Sequence, residues 1–207
     1  MSEKNRRSKK VLLSVAALGV TASIAGLGTF AQFTSSTSAS QAVSSGTVSI
    51  NLGPAGTADN RLTIGATGLV PGDSLERRVK LSNPTGNEDL SAITLTTEDT
   101  TLSDTVLSTD ATNGLKMTIE KCSVAWVEST STPYTYTCAG TSTTVLARRA
   151  IIGTDLSLSS MSSVTAGQTD DLVVTVDLPS TADNTFQSKS AAIQYTFTGT
   201  QRAATSK

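Results

Sequence analysis

Leu172, Val174, Val176 and Leu178 fall on every second residue, and this period of two limits most strongly what the chain can fold into. Successive side chains on an extended backbone point to opposite faces, so such a run buries one face and solvates the other. The spacing recurs along the chain. Val48, Ile50 and Leu52 alternate with Ser49 and Asn51, and Leu62 with Ile64 forms a short candidate. Leu75, Val79 and Leu81 share a side that Arg77 interrupts. Ile93 with Leu95 comes next, then Leu115, Met117 and Ile119, then Tyr134, Tyr136 and Cys138. Ala191, Ile193, Tyr195 and Phe197 close the series.

Turn residues separate these runs. Val70-Pro71-Gly72-Asp73 combines a preset φ at proline with a glycine free to take positive φ. Asn83-Pro84-Thr85-Gly86-Asn87, Asn113-Gly114 and Ala166-Gly167 are of the same kind. Residues 182–188 read as a single helical turn, and 144–152 fit no one pattern. The predicted fold is all-β, a jelly-roll-like β-sandwich preceded by a signal-peptide helix.

Composition agrees with a thin β core. Only 37% of the 207 residues are hydrophobic and 4% aromatic, while Ser and Thr are abundant. Threonine suits strands because its branched Cβ packs on a pleated surface. Net charge is −1, but five of the 16 basic residues and one of the 17 acidic residues lie in the first ten positions. The remainder carries a net −5, which argues against a nucleic-acid partner.

The basic start leads into an export signal. Lys4, Arg6, Arg7, Lys9 and Lys10 precede an apolar segment, and no charged residue follows until Asp59. Thr29-Phe30-Ala31 places small residues where a signal peptidase reads, so cleavage is expected between Ala31 and Gln32. The alternative is an uncleaved anchor, since about 20 apolar residues span a bilayer. Gly19, Gly26 and Gly28 weaken that second reading. The organisation expected is a signal peptide over 1–31, a flexible Ser/Thr-rich leader over 32–46, a β-sandwich over 47–202 and a tail over 203–207. Contact with membrane is expected only through the signal peptide before cleavage.

Candidate chemistry is sparse. The chain has no histidine, which removes the commonest general base and the His-containing zinc motifs. No Gly-rich phosphate loop and no Gly-x-Ser-x-Gly elbow occurs, and no cofactor is expected. Cys122 and Cys138 enclose fifteen residues, and in an oxidising compartment they are expected to pair as a disulfide. Asp170-Asp171, Glu88-Asp89 and Glu98-Asp99 are adjacent acidic pairs. Neighbours in a strand diverge, so these read as solvated charge, with weak calcium binding the rarer alternative. Trp126 reads as a packing anchor or, if exposed, as a recognition residue.

Several stretches resemble a known family. Lys9-Lys10-Val11-Leu12-Leu13, Gly26-Leu27-Gly28-Thr29-Phe30-Ala31, Phe33-Thr34 and Gly46-Thr47-Val48 look like a SipW-type signal peptide with its mature start. Val70-Pro71-Gly72-Asp73, Asn83 to Leu90, Leu178-Pro179 and the ending Tyr195-Thr196-Phe197-Thr198-Gly199-Thr200-Gln201-Arg202-Ala203 are similar to the TasA and camelysin family of Gram-positive bacteria.

The resemblance implies a secreted jelly-roll protein of the cell surface or extracellular matrix that assembles into biofilm fibres. Some relatives are labelled metallo-endopeptidases, but His-Glu-x-x-His is missing from this chain, so no enzyme activity is expected. The function expected is a fibre subunit forming a homo-polymer, with other matrix or cell-wall components as further partners. The alternatives are a camelysin-like surface metallo-endopeptidase and a non-polymerising surface-binding module. Phe33 and Thr34 open the segment expected to act as a donor strand, with Phe33 filling a pocket on the next subunit. A disordered spacer is the other reading of that leader.

Overall fold

The computed structural model describes residues 48–63, 69–101 and 105–204. Ten strands account for most of the regular structure. They are β1 (Asn51–Leu52), β2 (Ser74–Ser82), β3 (Leu90–Asp99), β4 (Lys116–Cys122), β5 (Val127–Glu128), β6 (Tyr136–Thr137), β7 (Ser142–Ala150), β8 (Gly153–Ser157), β9 (Thr169–Asp177) and β10 (Ile193–Gln201). One helical turn, α1 (Val106–Thr109), and a 3-10 turn at Asn184–Phe186 complete the regular structure among the described residues. None of the helices among the described residues is long and apolar enough to cross a membrane.

Two antiparallel sheets pack face to face. The first has the order β1-β2-β9-β4-β7 and the second β10-β3-β8. The alternation explains the layering. Val79 and Leu81 of β2, Met117 and Ile119 of β4, and Leu172, Val174 and Val176 of β9 point inward from the first sheet. They meet Ile93 and Leu95 of β3 and Leu156 of β8 from the second. Burying one such Leu, Ile or Val side chain contributes roughly 1.5–3 kcal/mol.

The turns follow their chemistry. Asp73 N–H bonds to the Val70 carbonyl at 2.9 Å, and Gly72 between them has φ +97°. A side chain at that φ would be strained, so the glycine is required. Asn83, 1% exposed, organises the next corner. Its backbone exchanges hydrogen bonds with Gly167 and Gln168 at 2.8 and 3.0 Å, and its amide oxygen accepts from Asn87 at 3.0 Å.

Three readings of the sequence change here. The strand expected over residues 48–52 narrows to Asn51–Leu52, which pairs with Ser82 and Leu81. Val48 and Ile50 pack on the core without joining a ladder. The candidate at Leu62 reduces to one bridge between Asn60 and Val79, and Ile64 lies outside the described residues. The undecided stretch 144–152 becomes most of β7 and the tight turn into β8. That turn carries the chain from one sheet to the other and closes the sandwich on its β7/β8 side.

Candidate functional site

Among the described residues, the opposite side of the sandwich is open. β10 is nine residues long and pairs with β3 along its whole length, from Ile193↔Asp99 to Gln201↔Leu90. Its outer edge has no strand partner among the described residues. The sheet facing it offers little cover, because β1 pairs over only two residues. The burial of side chains records this. Ile93 and Leu95 on β3 are 1% and 0% exposed, whereas Ile193, Tyr195 and Phe197 on β10 are only half-buried. A long, uncovered edge strand presents unpaired N–H and C=O groups, a ready template for another strand.

One end of this open seam is filled by the chain's own N-terminal approach. Ile50 packs against β10 at Gly199, where a Cβ would lie 3.2 Å from the Ile50 Cγ2 and 2.9 Å from the Leu90 Cδ1. The missing side chain makes room for both. Asn87 donates to the Ser49 carbonyl at 2.9 Å, which holds the incoming segment at this end. At the other end, between Leu75 of β2 and Ile193 of β10, lies a cavity of about 350 Å³.

The disulfide builds a second feature. Cys122 and Cys138 are joined, with Cα atoms 5.6 Å apart. The loop they close folds back over the outer face of the first sheet as the small β5–β6 hairpin. Trp126, Tyr136 and Val173 form a minor core there with Cys122. Trp126 is therefore a packing anchor, and its indole N–H bonds to the Asp171 carbonyl at 3.0 Å.

An ion pair latches this hairpin. Arg61 donates from Nε and Nη2 to the two oxygens of Glu128, at 3.1 and 2.6 Å. Its guanidinium also sits 4.4 Å from the Tyr134 ring centre, and Tyr136 donates its hydroxyl to Glu128 at 2.9 Å. The hydrogen bond from Arg61 holds the Glu128 carboxyl below the usual glutamate range against the opposing effect of burial. Burial first, and then the bond to Glu128, push the Tyr136 phenol up to about 12.

Five of the six acidic side chains in these pairs are tied into the structure. Asp170 is 3% exposed and accepts from the Ser163 N–H and hydroxyl, both at 2.7 Å. Asp171, on the other face, takes a bidentate pair from Arg78 at 2.6 and 2.5 Å. Glu88 pairs with Arg202 at 2.6 Å, and Asp89 accepts from the Ala166 N–H at 2.8 Å. Asp99 accepts from the N–H groups of Thr101 and Ala192 at 2.9 and 3.2 Å. The reading of these pairs as solvated charge is corrected for these residues: they fasten loops to strands.

Sequence reasoning found the cysteines but missed the latch, and it did not assign the open edge to a particular strand. The latch joins residues 67 apart in sequence, with no periodicity to announce it. A faint signal for the hairpin did exist: Val173 is out of phase with Leu172 and Val174, which marks an outer face needing cover. Ala31, Gln32, Phe33 and Thr34, the processing and donor-strand residues, lie outside the described residues.

The profile of a family described as camelysin metallo-endopeptidase matches residues 7–206, nearly the whole chain. No curated protein gives a significant match. The description implies a metal, and the donor set does not fit one. Histidine is absent from the sequence, and both cysteines are in the disulfide. Among the described residues, no group of three or more metal-binding side chains comes together. A catalytic zinc site needs three protein ligands and an open position.

Proposed function

Since the chain belongs to the camelysin (TasA) family of surface and matrix proteins, we propose that it is a secreted structural subunit that polymerises by donating its N-terminal leader to a neighbour. The observation that carries this reading is the outer edge of β10, which has no strand partner among the described residues and runs nine residues beside half-buried Ile193, Tyr195 and Phe197. A strand laid there would pair its backbone with β10 and cover that inner face. Each hydrogen bond contributes only about 1 kcal/mol net, and a strand-length row makes the contact stable.

Placement supports a head-to-tail contact. Residues 48–52 enter at the Gly199 end of the seam, and in this reading the leader before them pairs with a different molecule. Such a contact does not close on itself and grows a filament. Cleavage between Ala31 and Gln32 would free Phe33 and Thr34 for it. In this reading the protein is exported to the cell surface or matrix of a Gram-positive bacterium, and it is not a protease.

The test compares mature protein with a version beginning at Gly46 by electron microscopy, in conditions where the former makes filaments. The truncated protein should stay monomeric on size exclusion, and equal polymerisation by both would sink strand donation. Purified protein should leave casein intact with zinc or calcium present. Chelator-sensitive cleavage that vanishes on mutating one carboxylate would restore the enzyme reading.

A further inference from the structure

The loop from Gly53 to Arg61 follows β1, where the chain enters the sandwich, and it is tied together from within. Gly56 N–H bonds to the Asn60 carbonyl at 2.8 Å, and the Asn60 side-chain amide donates to the Gly53 carbonyl at 3.0 Å. Its two ends are fastened to β2. Gly53 N–H bonds to the Lys80 carbonyl at 3.1 Å, and Arg61 N–H to the Arg78 carbonyl at 2.8 Å. At Gly53 a Cβ would lie 2.5 Å from the Asp59 carbonyl oxygen, so the loop closes on bare backbone. Residues 54–58 are exposed. Exposed, hydrogen-bonded loops of this kind open before a packed core does.

Two lines of contact run from the disulfide loop into this entry loop. In the first, Glu128 holds Arg61, whose Nη1 turns back to the Gly56 carbonyl at 2.7 Å. The two side chains are 15% and 16% exposed, so salt and solvent screen the pair little. In the second, Trp126 bonds to the Asp171 carbonyl and the Asp171 carboxylate holds Arg78. Arg78 Nη1 then donates to the Ala58 carbonyl at 3.2 Å. Trp126 and Glu128 both lie in the segment that Cys122 and Cys138 close. The closed ring keeps them at high effective concentration beside their partners, and an open chain would not.

We propose that the disulfide loop is a redox-set clamp on the entry loop: with Cys122 and Cys138 joined it fixes residues 53–61 and β1, and opened by a dithiol it lets both loosen while the sandwich stays folded. A thiolate of the dithiol attacks the Cys138 sulfur, the more exposed of the two, and Cys122 leaves as a thiolate. The reductant's second thiol then displaces Cys138. The dithiol ends as its own disulfide, and two electrons and two protons have passed to the cysteines. The clamp does not depend on polymerisation, and each can fail without the other.

The experiment is amide hydrogen exchange by mass spectrometry on mature, monomeric protein, oxidised and reduced with dithiothreitol. Reduction should speed exchange at Gly53, Gly56 and Arg61 by about tenfold or more, together with Ser129 in the disulfide loop. The amides of β9 should keep their protection to within about twofold. Coupling between two sites is reciprocal, so loosening the entry loop alone should ease reduction. Gly53→Ala, which forces a Cβ against Asp59, should raise the equilibrium constant for reduction by dithiothreitol about threefold or more. Arg148→Gln, on the far edge strand β7, should change neither readout.

Faster exchange in the disulfide loop with none in residues 53–61 overturns the proposal, since the two would then move independently. Unchanged exchange in both overturns it as well. So does equal acceleration in β9, which would make reduction a global unfolding. Should Gly53→Ala not be secreted in folded form, Asn60→Ala, which removes the bond to Gly53 inside the entry loop, takes its place. Should that also fail, exchange in the unaltered protein decides alone.

Discussion

Trp126 donates its indole N–H to the backbone carbonyl of Asp171, 45 residues away, and so pins the disulfide loop to the start of β9. The ring is 8% exposed and packs with Tyr136 and Val173. The loop is thus a fitted lid on the outer face of the first sheet. Trp126→Ala removes both the packing and the bond, and it should cost about 3–5 kcal/mol in urea denaturation. Trp126→Phe keeps most of the apolar contact and should cost distinctly less. A loss under 1 kcal/mol for the alanine variant would show the lid to be an independent appendage.

The disulfide acts on the same lid through the unfolded chain. Closing a loop of about fifteen residues stabilises the folded state by roughly 3 kcal/mol on the entropic account. Replacing Cys122 and Cys138 together by serine should lower stability by that order. Trp126, the only tryptophan, should then shift its fluorescence toward the solvent value at lower denaturant concentration than the sandwich unfolds. A single coincident transition for fluorescence and circular dichroism would count against separate loosening of the lid.

Acid should release the latch. Glu128 has its pKa lowered first by the hydrogen bond from Arg61, with burial opposing. A depressed carboxylate contributes stability above its unfolded value, near 4.3, and loses it as pH falls through the folded value. The lid should therefore loosen below about pH 4, seen in Trp126 fluorescence, and Glu128→Gln should flatten that acid limb. At the other extreme, burial above all pushes Tyr136 and Tyr195 up to about 12. Groups raised in this way contribute stability that is complete below about pH 10 and lost between there and about 12. Phenolate absorbance should rise with unfolding in that window, and free titration of Tyr136 and Tyr195 near pH 10 would contradict the burial.

Legibility in the sequence followed the range of the interactions. β2, β3, β4, β9 and β10 could be read because Leu172 to Leu178 and their counterparts repeat a local period. Gly72 and Gly86 mark turns for equally local reasons, with φ of +97° and +91°. What stayed hidden depends on distant residues. β7 lacks clean alternation, because Val145 and Leu146 are both buried. The β1 ladder is short because Ile50 leaves the strand to meet Gly199. The open edge of β10 is a statement about a missing neighbour, and no pattern within Ile193–Gln201 distinguishes an edge from a centre. Arg77 alone broke the local rule on its face, and it borders the cavity.

Charge on the β10 edge should decide whether that edge is where subunits meet. Thr196 and Thr198 are exposed and alternate with half-buried Tyr195, Phe197 and Gly199. Lysine at these positions leaves the inner face untouched, and surface changes of this kind usually alter stability by under about 0.5 kcal/mol. Edge lysines oppose strand addition, because the incoming strand must desolvate them and bring its own backbone alongside. The variant Thr196→Lys/Thr198→Lys should fold with an unchanged melting temperature, to within about 2 °C on the usual scale. It should also polymerise poorly in electron micrographs. Lysine at two exposed β7 positions, Thr144→Lys and Ala147→Lys, tests the other side of the sandwich and should leave filaments intact. Should the β7 variant lose its filaments while the β10 variant keeps them, the growing contact lies on the closed side, and β10 is not the acceptor.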